Sequence, residues 1–151
     1  MSFFQEPGML IYASEKYDDI YIRINKEFKI NYKNIFLLAA SLGARKGVKL
    51  PLEKRGREFR ASYLSEEEED LAYAIVLNDE DIGKNIKIFD DPEFRFKGRK
   101  VLQEYAEGGM SVIVENVFKE KWNGIKLDSR YDNYGVDIMK YLLAELNQVP
   151  F

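Results

Sequence analysis

Apolar positions follow one another at spacings of three and four over residues 32–43, which is the period of an α-helix. Because this spacing places them on one face, the sequence predicts an amphipathic helix. Asn31 has a side chain suited to the N-cap, and Gly43 or Gly47 suits the left-handed position that ends many helices. The apolar stripe consists of Ile35, Leu38, Ala39 and Leu42.

A shorter stretch before this helix has similar spacing. Ile20, Ile24 and Phe28 lie four residues apart, which favours a helix, while the alternation in "IYIRI" is also compatible with a strand. Residues 1–14 are apolar without a clear period. We expect them to form an extended arm that packs locally.

The segment "SEEEEDLAYAIVL" has the pattern of a helix start. Ser65 and Glu68 match a capping box, and the acids of residues 66–70 lie where a helix carries partial positive charge. Consecutive helical side chains point in different directions, so these acids converge poorly on one ion and we expect no metal site. Since "LAYAIVL" is apolar on nearly all sides, we expect this helix to be deeply buried.

Residues 51–63 are predicted to be irregular and then extended. Pro51 and Gly56 interrupt regular structure. Phe59, Ala61 and Tyr63 alternate with polar residues, which is typical of a short strand. We therefore expect a loop followed by an edge strand, or a β-hairpin about "KRGR".

The C-terminal half is predicted to contain further helices. Asp90 or Asp91, just before Pro92, begins a helix that Gly108-Gly109 ends. Residues 110–122 contain β-branched residues that suit a strand and a four-residue spacing that suits a helix. We favour a second helix, joined to the first by the double glycine.

The last part of the chain completes the predicted fold. An Asn-Gly pair at 123–124 favours a loop or a small hairpin. A final helix within residues 132–148 is expected to turn Val136, Met139, Leu142 and Leu143 inward. The prediction is one domain over residues 1–151, mainly α (α+β): a compact helical domain with a short β-hairpin or edge strand.

Composition excludes several kinds of chemistry. The 151 residues include no histidine and no cysteine, which excludes a histidine base, histidine-ligated zinc, thiol nucleophiles and disulfides. No glycine-rich nucleotide loop occurs, and we expect no cofactor. No apolar run is long enough to cross a membrane and no signal peptide is recognisable, so we expect a cytoplasmic protein without membrane association.

One enzymatic alternative stays open. Asp18 or Asp19 precedes Glu27-Phe28-Lys29, which is the order of groups on adjoining strands in one class of metal-dependent nuclease. A chain with 26 acidic and 23 basic residues contains such a triplet by chance. We therefore expect no catalytic residues and keep a small carboxylate- and metal-dependent nuclease as an alternative.

Charge is distributed unevenly along the chain. Residues 44–60 hold seven cations and two acids, a net charge of +5 that leaves −8 for the rest of a chain whose total is −3. A second basic stretch with aromatic residues lies near 93–100. Cations that cluster in a loop can contact phosphates, and the two stretches together would form a groove. The candidate nucleic-acid-binding residues are Arg45, Lys46, Lys49, Lys54, Arg55, Arg57 and Arg60.

The alternative for these cations is pairing with acids on the protein's own surface, where each ion pair contributes little. The acidic remainder of the chain makes this pairing possible. It also implies that any affinity for DNA is modest and sensitive to salt.

The run "NIFLLAASLGARKGVKLPLEKRGREFRASYLSEEEEDLAYAIVLND", with "LQEYAEGG" at Leu102–Gly109, resembles small accessory proteins encoded beside DNA phosphorothioation (Dnd) modification and restriction systems. The resemblance covers roughly residues 30–115, and residues 1–28 and 119–151 have no counterpart. It implies a prokaryotic protein of phage defence that acts with larger DNA-handling partners. It implies no catalytic residues.

The expected function is that of a non-catalytic accessory or adaptor protein of such a system. Its partners would be larger proteins of the same system, with DNA or a partner contacted through the basic loop at residues 45–60. Besides the nuclease, the other alternative is an oligomerisation module, in which copies of the chain associate with one another.

Overall fold

The computed structural model of the chain describes residues 8–82, 87 and 91–147. In this part of the chain the fold is mainly α, with five α-helices and one two-stranded antiparallel sheet, as the sequence predicts. The elements in chain order are β1 (Leu10–Ser14), α1 (Asp18–Phe28), α2 (Tyr32–Lys46), β2 (Arg55–Arg60), α3 (Glu66–Leu77), α4 (Phe94–Ile113) and α5 (Tyr134–Asn147).

The helix starts and ends in the first half of the chain follow from local side chains. The Asn31 side chain accepts a hydrogen bond from the backbone N–H of Asn34, which caps α2. Gly47, one of the two glycines predicted for this role, ends α2 in the left-handed conformation at φ 68°, so the helix runs past the predicted boundary at residue 43. Ser65 and Glu68 form the predicted capping box at the start of α3.

Helix α4 packs with its backbone in contact with that of α2 and of the loop after α2, and three glycines allow this approach. A Cβ atom on any of these glycines would overlap a main-chain carbonyl of a facing segment, which cannot move as a side chain can. Small residues are therefore a requirement of this crossing. The glycines and the carbonyl groups that face them are Gly43 with Tyr105, Gly108 with Val48, and Gly109 with Ala39.

The prediction that Gly108-Gly109 ends a helix is wrong. Helix α4 passes through both residues to Ile113 and continues as a π-helical turn over Val114–Phe118. Both glycines are buried, and the backbone of α2 and of the loop after it fills the space that side chains would take. Tertiary packing overrides the weak helix preference of glycine here. The predicted separate helix over residues 110–122 is thus the end of α4 and its π-helical turn as far as Phe118, and Trp122 already belongs to the hairpin that follows.

The sheet joins two segments that are far apart in the sequence. Leu10 of β1 pairs with Arg60 of β2, and Ile11 pairs with Phe59. The strand therefore exists, but its partner is the N-terminal arm and not a neighbour across "KRGR". Residues Ala61–Tyr63, which were expected to continue the strand, form a 3-10 turn. Residues 1–7 of the arm lie outside the described residues.

Helix α4 covers the other edge of β1. Three side chains at intervals of four residues reach three strand residues at intervals of two. Four helical residues rise about 6 Å, and two strand residues rise about 6.6 Å. The spacing of the three helix side chains therefore matches the spacing of the three strand residues, and the helix covers this edge of β1. The contacts are Arg99 Nη1 to Leu10 O (3.2 Å), Gln103 Oε1 to Tyr12 N (2.9 Å) and Glu107 Oε1 to Ser14 Oγ (2.7 Å).

Two predicted burial patterns do not hold. In α3, Leu71 is 41 % exposed, so this helix buries one face only. In α5, Ile138 is buried, whereas Val136, Met139 and Leu143 of the predicted inward stripe are all exposed. Residues 122–127 form the small hairpin, with one bridge between Trp122 and Leu127.

Substituting Gly109 by alanine tests the close helix contact. Alanine normally stabilises a helix by about 1 kcal/mol relative to glycine. Here the added methyl group overlaps the Ala39 carbonyl, so we expect a loss of about 2 to 3 kcal/mol in the free energy of unfolding. Urea denaturation measures it.

Gly135→Ala is the matched control. Its added Cβ would lie 2.8 Å from Cγ of Glu27, an exposed side chain that can move aside. The free energy of unfolding should stay unchanged or rise by up to about 1 kcal/mol, because Gly135 lies in α5 and alanine favours a helix. Equal stability of the two variants would contradict the backbone contact.

Candidate functional site

The predicted basic segment is divided by the fold into two parts with different surroundings. Residues 45–49 lie at the end of α2 and just after it, against acids from α5 and from the segment that follows α3. Residues 54–60 lie on β2 and at its start, where most side chains are exposed. Each part is therefore considered separately.

Arg45 and Lys46 are held by the end of α5. Lys46 Nζ lies 2.8 Å from Glu145 Oε2, and Arg45 Nη2 donates to the Glu145 carbonyl at 2.6 Å. Glu145 is buried, and its contacts with Arg45 and Lys46 connect α5 to α2. These two cations serve the fold.

Lys49 has two carboxylate partners. Its ammonium lies 2.9 Å from Asp79 Oδ1 and 2.6 Å from Asp81 Oδ2, and Tyr105 donates to the same Asp79 oxygen at 2.7 Å. The Asp79 side chain is 2 % exposed. Burial alone would raise the pKa of Asp79, but the hydrogen bonds from Lys49 and Tyr105 outweigh it and lower this pKa. Burial and the Asp79 carboxylate raise the pKa of Tyr105 to about 12.

The cations of β2 are presented differently. Arg55 lies over the ring of Tyr12 at 4.4 Å, and the exposed Lys54 pairs with the exposed Glu15 at 3.1 Å. Arg57 has two partners, the ring of Tyr32 at 4.2 Å and Asp18 at 2.6 Å. Arg60 is exposed, and its side chain has no partner among the described residues.

The second basic stretch lies next to the end of β2. Arg99 of α4 donates to the carbonyl of Leu10, and Leu10 pairs with Arg60, so the two predicted basic stretches meet at this end of the sheet. Phe96 is 45 % exposed, and the guanidinium carbons of Arg95 and Arg99 lie 4.9 and 5.8 Å from its ring centre. We call this the basic strand surface, defined by Lys54, Arg55, Arg57, Arg60, Arg95, Phe96 and Arg99.

Of the other aromatic residues near the basic segments, one is open to solvent. Tyr63 is 63 % exposed, whereas Phe59 packs edge-on against the buried Phe36 at 5.3 Å and serves the core. Stacking on bases or sugars at this end of the molecule would therefore involve Phe96 or Tyr63.

The arrangement required by the nuclease alternative does not form. Asp18 and Glu27 lie on one helix, α1, where nine residues separate them by about 14 Å along the axis. Asp18 pairs with Arg57, and Asp19 accepts from the backbone N–H of Leu127 and pairs with Arg23. Within the described residues, no group of three or more acidic side chains is placed to hold a metal ion.

A comparison with protein families gives a match over residues 20–126, to the family described as DNA sulphur modification system-associated protein 4. This match covers well over half of the chain. The chain belongs to this Dnd-associated family. No curated protein and no solved structure matches it significantly.

Membership confirms the resemblance seen in the sequence and identifies the chain as an accessory protein of the Dnd system. The match extends on both sides of residues 30–115, to include most of α1 and the Trp122 hairpin, while β1 and α5 lie outside it. In the described part of this Dnd-associated protein, no helix is both long and apolar enough to cross a membrane.

Sequence reasoning missed an apolar groove between α2 and α5 of the Dnd-associated protein. The groove has a volume of about 310 Å³, and Leu38, Met139 and Leu143 line it with exposed fractions of 37, 43 and 54 %. The signal was present, because these residues lie on the apolar stripes of the two helices. It was interpreted as core, since periodicity does not show whether a partner element covers a stripe.

Lys49→Gln tests whether this predicted DNA-binding residue serves the fold. The substitution leaves the buried Asp79 carboxylate without its cation, so we expect a loss of about 1 to 3 kcal/mol in the free energy of unfolding at neutral pH. The pKa of Asp79 is lowered in the folded state, so its pairing stabilises the fold above the unfolded-state pKa. The loss should therefore shrink as the pH falls through the folded-state pKa.

Lys97→Gln is the control for this experiment, measured by urea denaturation at several pH values. Lys97 lies 3.6 Å from Asp91 and both side chains are exposed, so we expect a change of less than about 0.5 kcal/mol. A loss at Lys49 no larger than that at Lys97 would contradict a structural role for Lys49.

Proposed function

We propose that this Dnd-associated protein is a non-catalytic adaptor that contacts the phosphates of DNA through its basic strand surface. In this role it assists a larger DNA-handling protein of the same system, in a setting of phage defence. The observation that carries the proposal is the meeting of the two basic stretches at the Leu10–Arg60 pair.

The chemistry of the basic strand surface supports contact with phosphate. Arg55 and Arg60 project from β2 without a carboxylate partner among the described residues, and Arg99 lies across Leu10 from Arg60. Guanidinium groups bind phosphate oxygens with two N–H donors, which a lysine cannot do in the same geometry. The exposed ring of Phe96 adds a surface on which a base or sugar can stack.

The rest of the molecule limits the strength of such binding. The total charge is −3, and Arg57 and Lys54 already have carboxylate partners. Weak binding that depends on salt suits an adaptor, because a protein partner then supplies most of the affinity.

Fluorescence anisotropy of a labelled DNA duplex at several salt concentrations tests the proposal, with Arg55→Gln/Arg60→Gln beside the wild type. If both arginines contact phosphates, the slope of log K against log salt should fall in magnitude by about 1.8 in the variant. Binding at low salt should weaken correspondingly.

Lys119→Gln/Lys140→Gln is the matched control. It removes the same charge from exposed positions in the π-helical turn region and α5. An equal loss in this control would show that only total charge matters. No binding by the wild type at low salt would rule out DNA contact by this protein alone.

Self-association is a second candidate function, and the apolar groove favours it. Val136, Met139 and Leu143 are spaced by three and four residues and form an exposed stripe along α5. Exposed apolar stripes of this kind are typical of interfaces. Two copies of α5 can pack about a two-fold axis, because each helix then offers the other the same stripe and groove.

Light scattering coupled to size-exclusion chromatography tests this candidate. If α5 forms the interface, the wild type should have a mass near twice 17.7 kDa at high concentration, and Leu143→Glu should be monomeric. Ile125→Glu, at a residue 70 % exposed away from the groove, should behave as the wild type. A monomeric wild type at all concentrations would contradict self-association.

A further inference from the structure

A second cavity, of about 370 Å³, opens where the end of β1, the start of β2, α4 and the Trp122 hairpin come together. It is separate from the apolar groove and is lined mostly by polar residues. Its lining side chains include Glu15, Glu53 and Glu107 and the lysines Lys16 and Lys54, and Ile125 lies at its edge.

Glu107 is the unusual member of this lining. Glu107 is only 6 % exposed, and its Oε1 accepts a hydrogen bond from Ser14 Oγ at 2.7 Å. Within the described residues, Oε2 has no hydrogen-bond partner, yet it is not sealed from solvent. This oxygen therefore faces the cavity.

The charges around Glu107 leave its carboxylate only partly compensated. Burial raises its pKa, the hydrogen bond from Ser14 and the nearby Lys16 act in the opposite direction, and Glu53 raises the pKa further. Lys54, at the rim, is paired with Glu15. The phenol rings of Tyr17 and Tyr21 also lie within the field of Glu107, and burial is the largest cause of the raised pKa of each.

A glutamine at position 107 would serve the structure at least as well. Its side-chain oxygen would accept the same hydrogen bond from Ser14, and no charge would be buried. A buried carboxylate with one oxygen open to a cavity is more than the fold requires, and such groups are typical of binding sites.

We propose that this cavity binds the guanidinium group of an arginine side chain presented by a partner protein. The inference rests on the adaptor part of the proposed function and is independent of DNA contact. Glu107 would accept from the guanidinium at the inner end of the cavity, and Glu53 would accept near its rim. Ile125, which is 70 % exposed, offers apolar surface to the aliphatic part of the side chain.

Arginine fits better than lysine for a physical reason. The carboxylate lies deep in the cavity, so the cation must lose much of its water to reach it. A guanidinium is more weakly hydrated than an ammonium and donates in several directions at once. The lining holds three carboxylates against two lysines, and this net negative charge disfavours a phosphate or carboxylate ligand.

Trp122 provides the measurement. It is the one tryptophan of the chain, its ring centre lies 5.9 Å from that of Tyr17, and it belongs to the hairpin whose Gly124 and Ile125 line the cavity. Titration with N-acetyl-arginine amide should change its fluorescence in a saturable way. The neutral analogue N-acetyl-citrulline amide should bind at least about tenfold more weakly, because it lacks the positive charge.

Two substitutions test whether the arginine probe binds in this cavity. Glu107→Gln should weaken the arginine probe at least about tenfold, whereas Glu104→Gln, a half-buried acid on the same helix outside the cavity lining, should bind as the wild type. Equal binding by Glu107→Gln and the wild type, or no saturable change, would overturn the proposal. Tighter binding of spermidine than of the arginine probe would assign the cavity to a free polyamine instead.

Thermal unfolding shows whether Glu107→Gln is folded and tests the burial of the charge. The folded-state pKa of Glu107 is raised, so wild-type stability falls as the pH rises from its unfolded-state pKa to its folded-state pKa. Glu107→Gln lacks this loss, so at pH 7 its Tm should equal or exceed that of the wild type. A lower Tm would mean that the carboxylate has a structural partner and would overturn the proposed open oxygen.

Discussion

The backbone contact between α2 and α4 is the constraint on which the other features of the molecule depend. Gly43 and Gly109 allow the two helices to approach until main-chain atoms touch. At this distance the helices cannot come closer, and a rotation of either helix would replace a glycine at the contact with a residue whose Cβ collides with the facing backbone. The loop after α2 is positioned by the same contact, since the Val48 carbonyl faces Gly108.

This contact sets the orientation of α4 about its own axis. The orientation in turn determines which α4 side chains reach β1. Arg99, Gln103 and Glu107 lie along one side of the helix and meet every second residue of β1. The sheet is thereby joined to the helical core. Both candidate sites result from this ladder, because Arg99 brings the two basic stretches together at one end and Glu107 borders the polar cavity at the other.

Charge in this protein is divided between structure and surface. Lys46 and Lys49 neutralise carboxylates that are largely buried, and such charges must be paired to be tolerated. On β2, Arg55 and Arg57 lie over aromatic rings, Arg57 also pairs with Asp18 near the surface, and Arg60 faces solvent. A segment that is uniformly basic in the sequence is therefore divided by the fold into a part that pairs with buried carboxylates and a part on β2 whose side chains are mostly exposed.

Local chemistry in the sequence by itself determined several features of the protein. The Asn31 cap, the capping box at Ser65 and the apolar spacing of α2 involve residues within one or two helical turns, so they could be predicted without knowledge of the fold. The mainly helical class and the family could be predicted as well, because they rest on ordered local patterns.

Only the tertiary structure decided the features that depend on distant residues. Gly108-Gly109 continues a helix because α2 and the loop after it occupy the space beside it, and β2 pairs with an arm more than forty residues away. Periodicity identified the stripe on α5 but could not show that no described element covers Met139 and Leu143. The same limit applies to charge: the sequence shows where cations lie along the chain, and folding decides which of them meet a carboxylate.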